Sequence, residues 1–331
     1  MARILVTGAS GFIGSHVVGR LRALGHAVHA TGRDTARLRI AAQAGASVAG
    51  ADLASDALGP LVDGCEAVVH CAALSSPWDR PENFWRANVV ATERLLAASR
   101  GAGVRRFVHL GSPSIYFRYA DQFDVAETFS PPARWITEYA RSKWESEQRV
   151  RAAADARFGT LVLRPRAVFG ERDNAILPRL LAVAERGWFP LVHGGEALID
   201  VTCVDNLSQA VAAALEADVR ADGRAYNISN GAPVRVRELV TMLFDALARD
   251  VRLVPIPRRV ALALATVAEA AANLRPGRPE PRLTRYGIGV IGYSQTLDIT
   301  RARTEMGYVP AVSVAEGLSQ FAASWRPHAH A

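Results

Sequence analysis

Thr7-Gly8-Ala9-Ser10-Gly11-Phe12-Ile13-Gly14 follows a short apolar run, Ile4–Thr7, and opens a stretch, 12–24, whose apolar residues recur at helical spacing. Glycine at 8 permits a tight turn, at 11 it lets backbone approach a pyrophosphate, and at 14 it lets the helix lie close to the strand. The helix N-terminus adds free N–H groups and the positive end of the dipole. The spacing is GxxGxxG rather than GxGxxG, but a strand before and a helix after give a dinucleotide-binding turn its required context. Gly8, Gly11, Phe12, Ile13 and Gly14 are therefore the first expected cofactor contacts.

Outward from this turn, Ala27–Thr31, Ser47–Gly50, Ala67–Cys71, Phe107–Leu110 and Thr160–Leu163 read as further strands, with helices over 12–24, 82–101 and 136–154. Short apolar strands linked by helical crossovers predict an α/β, doubly wound parallel sheet of Rossmann type, covered on both faces. Beyond Arg164 the rhythm becomes mostly helical, at 175–186, 205–216, 235–248, 259–273 and 313–323, broken by Gly- and Pro-rich turns. The expected organisation is a dinucleotide-binding domain over 1–165, its sheet continuing near 199–230, and a substrate lobe from 166–198 and 231–331.

Composition narrows the function. The chain has 331 residues, 50% hydrophobic and 21% charged, which excludes disordered and collagen-like classes. Its net charge of +7 is no nucleic-acid signature, because the basic residues are scattered without a stripe or interleaved aromatics. Cys65, Cys71 and Cys203 lack the spacing of a disulfide framework or thiolate metal site, so buried free thiols and no metal are expected. The longest apolar run, Val260 to Leu274, contains Glu269 and is too short to span a bilayer. Without a signal-like leader the expectation is a cytoplasmic protein.

The sharpest chemical signal is Tyr139-Ala140-Arg141-Ser142-Lys143. Spacing i,i+4 puts the phenol and the ammonium on one helix face, where the cation is expected to lower the phenol pKa toward neutrality. Lys143 is the only lysine among 39 basic residues. With seven tyrosines in 331 residues, chance gives roughly a 2% probability of a tyrosine four places before it. A compact ammonium is evidently required where a guanidinium would not serve. Leu110-Gly111-Ser112-Pro113-Ser114-Ile115-Tyr116 follows the fifth strand at the ligand-binding edge of such a sheet, with Ser112 placed to bond the substrate oxygen and Ser114 and Tyr116 to touch substrate.

Cofactor preference is read at Thr31-Gly32-Arg33-Asp34. NAD-preferring sheets carry an acid at the end of the second strand; here Gly32 takes that place and Arg33, with Arg37 as help, offers a donor fork to a 2′-phosphate. NADP(H) is favoured, although a register shift of one residue would substitute Asp34. Asp52 and Leu53 are expected at the adenine, and Ala72 and Ala73 beside the nicotinamide ribose.

The glycine turn, Asp52-Leu53, His70–Ala73, Asn88, Ser112 and the Tyr139/Lys143 pair together resemble the extended short-chain dehydrogenase/reductase family. Leu163-Arg164-Pro165-Arg166-Ala167-Val168-Phe169-Gly170 is similar to its branch of 3β-hydroxysteroid dehydrogenases and 2-alkyl-3-oxoalkanoate reductases, within the NAD-dependent epimerase/dehydratase superfamily. The resemblance implies a Ser112–Tyr139–Lys143 mechanism, Pro165 and Val168 at the cofactor, Arg166 at the substrate, and a homodimer. It implies an NADP(H)-dependent interconversion of secondary alcohol and ketone on a hydrophobic substrate, steroid-like or a β-keto acid. Two alternatives are a nucleotide-sugar 4-epimerase with tightly held NAD and a non-catalytic NADP-sensing regulator, for which Tyr139 and Lys143 would have no use. The helix over 260–274 is expected at the substrate cleft or a membrane surface, or packed in the small lobe or at a subunit contact, and the arginines at 275, 278, 282 and 285 are expected to be solvated in preference to meeting an anionic substrate head.

Overall fold

A computed structural model describes residues 1–128, 130–217 and 222–325. Seven strands form one parallel sheet: β1 (Arg3–Thr7), β2 (Ala27–Gly32), β3 (Ser47–Gly50), β4 (Ala67–His70), β5 (Arg106–Leu110), β6 (Gly159–Pro165) and β7 (Asp222–Ile228). Their spatial order is β7-β6-β5-β4-β1-β2-β3, with every pairing parallel. The order reverses between β1 and β4, which opens a crevice beyond the carboxyl ends of those strands.

Both faces of the sheet are covered, which is why its strands read as continuous apolar runs rather than alternating ones. Ile4 and Val6 of β1 pack with Val17, Val18 and Leu21 of helix α1 (Phe12–Ala23) and with Leu207 and Val211. Leu5, between them, points to the other face and packs with Val68, Leu95, Leu96 and Val150. Helix α2 (Glu138–Ala153) starts at Thr137, whose hydroxyl accepts the Ala140 N–H. It buries Ala140, Ser142, Lys143, Ser146, Glu147 and Val150.

The single helix expected over 82–101 is instead three segments, α-helical at Pro81–Phe84, π-helical at Trp85–Val90 and α-helical at Ala91–Gly101. The widened turn contains Asn88, which binds the segment after β4: its Oδ1 accepts the Leu74 N–H at 2.7 Å and its amide donates to Leu74 O at 3.1 Å. π-Turns of this kind commonly mark functional sites.

The remainder packs around a second core in which Phe169, Phe189, Leu239, Leu243, Phe244, Leu318 and Phe321 are buried. Helix α3 (Arg258–Leu274) buries Ala261, Ala265 and Ala272 and exposes Val260, Leu264, Val267 and Leu274 at 48%, 53%, 68% and 87%. It lies in the lobe by its alanines and the half-buried Leu262, with those four large apolar residues turned outward. No helix among the described residues is long and apolar enough to cross a membrane.

Candidate active site

The glycine turn meets the demands of close approach. Gly8 has φ +67°, and a Cβ there would stand 2.7 Å from Ala72 N. A Cβ on Gly14 would stand 2.3 Å from Gly8 O, so α1 touches the turn backbone to backbone. Gly11, by contrast, would meet only Gly8 O, at 3.2 Å. Helix α1 begins there without a side-chain cap and without an acid in its first turn. Its leading N–H groups, on Phe12, Ile13 and Gly14, thus face the crevice with the positive end of the dipole, a surface fitted to a pyrophosphate.

At the end of β2, a Cβ on Gly32 would fall 2.4 Å from Ser10 Oγ and 2.9 Å from Ser10 Cβ, so an acid at that position would require Ser10 to move. Asp34 is committed locally, accepting the Arg37 N–H at 3.0 Å and pairing with its guanidinium at 3.3 Å. Arg33 is exposed, and among the described residues no carboxylate is within ion-pairing distance of it; its charge helps hold Asp52 below the usual carboxylate range, after the Ala54 N–H and Arg86. Asp52 takes the Arg86 guanidinium at 2.7 Å, and Leu53 is buried. Ala72 donates its N–H to Thr7 Oγ1 at 3.2 Å, which ties the segment containing Ala73 to β1.

Ser112 lies two residues beyond β5 and starts a 3-10 turn, Pro113–Tyr116, by accepting the Ser114 N–H at 3.2 Å. Tyr139 stands in the first turn of α2, its ring 6.3 Å from that of Phe84. Burial raises the Tyr139 phenol above its ordinary pKa, and a hydrogen bond with the Ser112 side chain opposes that rise. The structure thus brings Ser112 and Tyr139 together.

Lys143 is only 3% exposed, and its Nζ donates to Leu110 O at 2.6 Å and lies 3.4 Å from His109 Nε2. Burial draws its pKa down to about 8, with Glu147 working in the opposite direction. Asn88 joins this group by donating to Ser142 Oγ at 2.9 Å. His109 and Asn88 were not legible as neighbours of Lys143, since β5, the π-turn and α2 meet only in the fold.

The remaining expected contacts divide. Pro165 ends β6 opposite Ile228, and Val168 pairs with Thr202. Ser114 is buried with its hydroxyl unpartnered. Tyr116 is a correction: fully buried, its hydroxyl donates to Asn227 Oδ1 at 2.9 Å and accepts from Arg164, so it belongs to the packing beneath the site and does not touch substrate. Arg164 in turn holds Glu147 as a buried ion pair. Arg166 is buried near Tyr286 and Asp200.

Next to Tyr139 opens a cleft of about 170 Å³ lined by Trp78, Phe84, Tyr119, Ile136, Arg278 and Tyr286, among others. Tyr286 meets Phe117 edge to face at 5.2 Å, and Phe117 meets Tyr119 at 5.3 Å. Two of the arginines expected in solvent therefore border a cleft: Arg278, 6.0 Å over the Trp78 ring, and Arg285, paired with Glu269 at 2.7 Å. Cys65 and Cys203 are buried free thiols, Cys71 is half-buried and free, and no cluster that could hold a metal occurs among the described residues.

The chain is 35% identical to a 2-alkyl-3-oxoalkanoate reductase of Stenotrophomonas maltophilia (strain K279a), over 97% of this chain and 99% of that one. It is 32% identical to a 4-hydroxy-2-methyl-3-oxo-4-farnesyl-3,4-dihydroquinoline-1-oxide ketoreductase of Stigmatella aurantiaca, over 96% and 94%. Among solved structures it matches UDP-glucuronic acid 4-epimerase from Bacillus cereus in complex with NAD, with TM-score 0.76 and 21% identity over 97% and 98% of the two chains, a likeness of fold alone. The NAD dependent epimerase/dehydratase family matches residues 4–229, and the chain belongs to that family.

Proposed function

We propose that the chain is an oxidoreductase that interconverts a secondary alcohol and a ketone on a small hydrophobic substrate, steroid-like or a β-keto acid, with Ser112, Tyr139 and Lys143 as its catalytic residues. The observation that carries this reading is the contact of the Tyr139 phenol with Ser112 at the carboxyl edge of β5, above a buried ammonium and beside an aromatic cleft. Two relatives with at least 32% identity are named as reductases of alkyl- and farnesyl-bearing ketones, which supports the hydrophobic substrate.

The cofactor is a nicotinamide dinucleotide, which supplies or accepts the hydride when bound. Gly8, Gly11, Phe12, Ile13 and Gly14 take its pyrophosphate, Asp52 and Leu53 the adenine side, and Ala72, Ala73, Pro165 and Val168 the nicotinamide side. NADP(H) is preferred over NAD(H), supported by the glycine in place of an acid at position 32, crowded by Ser10, the engagement of Asp34 with Arg37, and an exposed Arg33 that forms no ion pair among the described residues. A homodimer is what family resemblance implies, and the cytoplasm is the location expected from the sequence.

Ser112 orients the carbonyl oxygen, and Tyr139 gives it a proton. A phenol raised above its ordinary pKa is protonated at neutral pH, which suits it to act as the acid in ketone reduction. Lys143, with a pKa near 8, stays largely charged at neutrality and fixes the floor of the site through Leu110 O. The test is an NADPH-consumption screen across steroid ketones, β-keto acids, aryl ketones and sugar nucleotides. Net oxidation of NADPH with the hydrophobic ketones is expected; turnover confined to sugar nucleotides, without net cofactor consumption, would overturn the reading.

A further inference from the structure

Arg166 is a buried cation with unfinished hydrogen bonding, within electrostatic reach of Tyr286. Its backbone is held on both sides: the N–H donates to Ile228 O at 3.0 Å, and the carbonyl accepts the Thr202 hydroxyl at 2.6 Å. The following residue, Ala167, adopts φ +42°, a left-handed conformation that a non-glycine residue takes only where its surroundings impose it. The side chain so placed is 6% exposed. Its Nε is buried without a hydrogen-bond partner, and among the described residues no carboxylate lies within ion-pairing distance of the guanidinium.

A buried guanidinium without an anion is unfavourable, because the lost hydration is not replaced. Asp200, the acid that acts on it electrostatically, accepts the Leu297 N–H at Oδ2 at 2.7 Å and keeps Oδ1 buried without a hydrogen-bond partner, yet forms no ion pair with the guanidinium among the described residues. Tyr286 connects the cation to the chemistry. Its phenol lies within electrostatic reach of both Arg166 and Tyr139, and its ring lines the aromatic cleft. Glu147, the other buried carboxylate near the site, is taken by Arg164.

We propose that Arg166 is a carboxylate-binding residue, completed by an anionic group of the substrate, so that the chain acts on 3-oxo or 3-hydroxy acids in preference to uncharged ketones or alcohols. The proposal rests on the ketoreductase reading above and chooses between its two substrate classes. A carboxylate two carbons from the reacting carbon accepts the guanidinium N–H groups while the carbonyl oxygen meets Ser112 and Tyr139. The alkyl remainder lies against Phe84, Tyr119 and Tyr286. Planar, charge-assisted pairing of this kind is the strongest recognition an arginine offers.

The test compares kcat/KM for NADP+-dependent oxidation of a 2-alkyl-3-hydroxy acid with that of its methyl ester, in the intact chain and in Arg166→Gln and Arg166→Lys. The unaltered chain is expected to favour the acid by about 100-fold. Arg166→Gln is expected to lose that ratio through a raised KM for the acid, and Arg166→Lys to retain part of it. Equal use of acid and ester by the unaltered chain overturns the assignment of Arg166 and leaves the ketoreductase reading standing, and needs no variant to fold. An equal fall on both substrates in Arg166→Gln, which marks a purely structural arginine, overturns it too. Oxidation of neither substrate removes the ketoreductase reading itself, and the proposal with it.

Discussion

The two sides of the cleft are built in different ways. The cofactor side is one turn of chain: three glycines within seven residues, the strand before them and the helix after, closed against Ala72 by backbone contact. The substrate side is assembled from residues spread over 200 positions, with Phe84, Tyr139, Arg166 and Tyr286 brought together only by the fold. A surface made of backbone N–H groups and a helix dipole recognises a phosphate in any member of such a fold. A surface made of side chains from separate elements can be altered one residue at a time, which is where substrate choice resides.

Breaking the cofactor side should have the largest effect. Gly14→Val places a side chain where even a Cβ would stand 2.3 Å from Gly8 O, against backbone that cannot yield. Loss of dinucleotide binding by more than about 1000-fold is expected in a titration of intrinsic fluorescence, since the turn must open to admit it. Tyr139→Phe tests the seam between the two sides. A fall in kcat of roughly 1000-fold is expected with NADPH affinity unchanged, because the phenol oxygen is removed and the turn is not. Activity within tenfold of the original would remove Tyr139 from the proton path.

Tyr116→Phe separates packing from contact. Its hydroxyl serves Asn227 and Arg164 within the core, so its loss should cost about 1–3 kcal/mol in urea unfolding, with kcat and KM unaltered. A raised KM at full stability would restore Tyr116 to the substrate side. The smallest effect is expected at Arg33→Gln, where the exposed guanidinium should account for about tenfold of the preference for NADPH over NADH. An unchanged ratio of the two kcat/KM values would move the 2′-phosphate contact elsewhere.

The same contrast governs what could be read from sequence. Strands β1 to β5 fall within about a residue of their expected bounds because a doubly covered sheet demands uninterrupted apolar runs. The Tyr139–Lys143 pair was legible because both residues share one helix and the lysine has no rival in the chain. Its electrostatics were not: helical spacing places two side chains on one face but does not reveal that Leu110 O draws the ammonium to 2.6 Å while Ser112 meets the phenol. Tyr116 shows the same limit, since a tyrosine four residues beyond Ser112 looks equally suited to the cleft until Asn227 is found beneath it. The aromatic wall of Tyr286 and Phe117 left no local trace, because neither residue lies in a motif and their contact spans 169 positions.

The central claim is that a hydride leaves or joins a substrate carbon for good while Tyr139 moves the proton. It is tested most directly by reduction of a hydrophobic 3-oxo substrate with NADPH carrying deuterium at the transferable C4 position. One deuterium on the carbinol carbon of the released alcohol for each NADPH oxidised, and none in Tyr139→Phe, is the predicted result. Conversion of substrate with the deuterium still in the dinucleotide, or equal labelling by the variant, would contradict it.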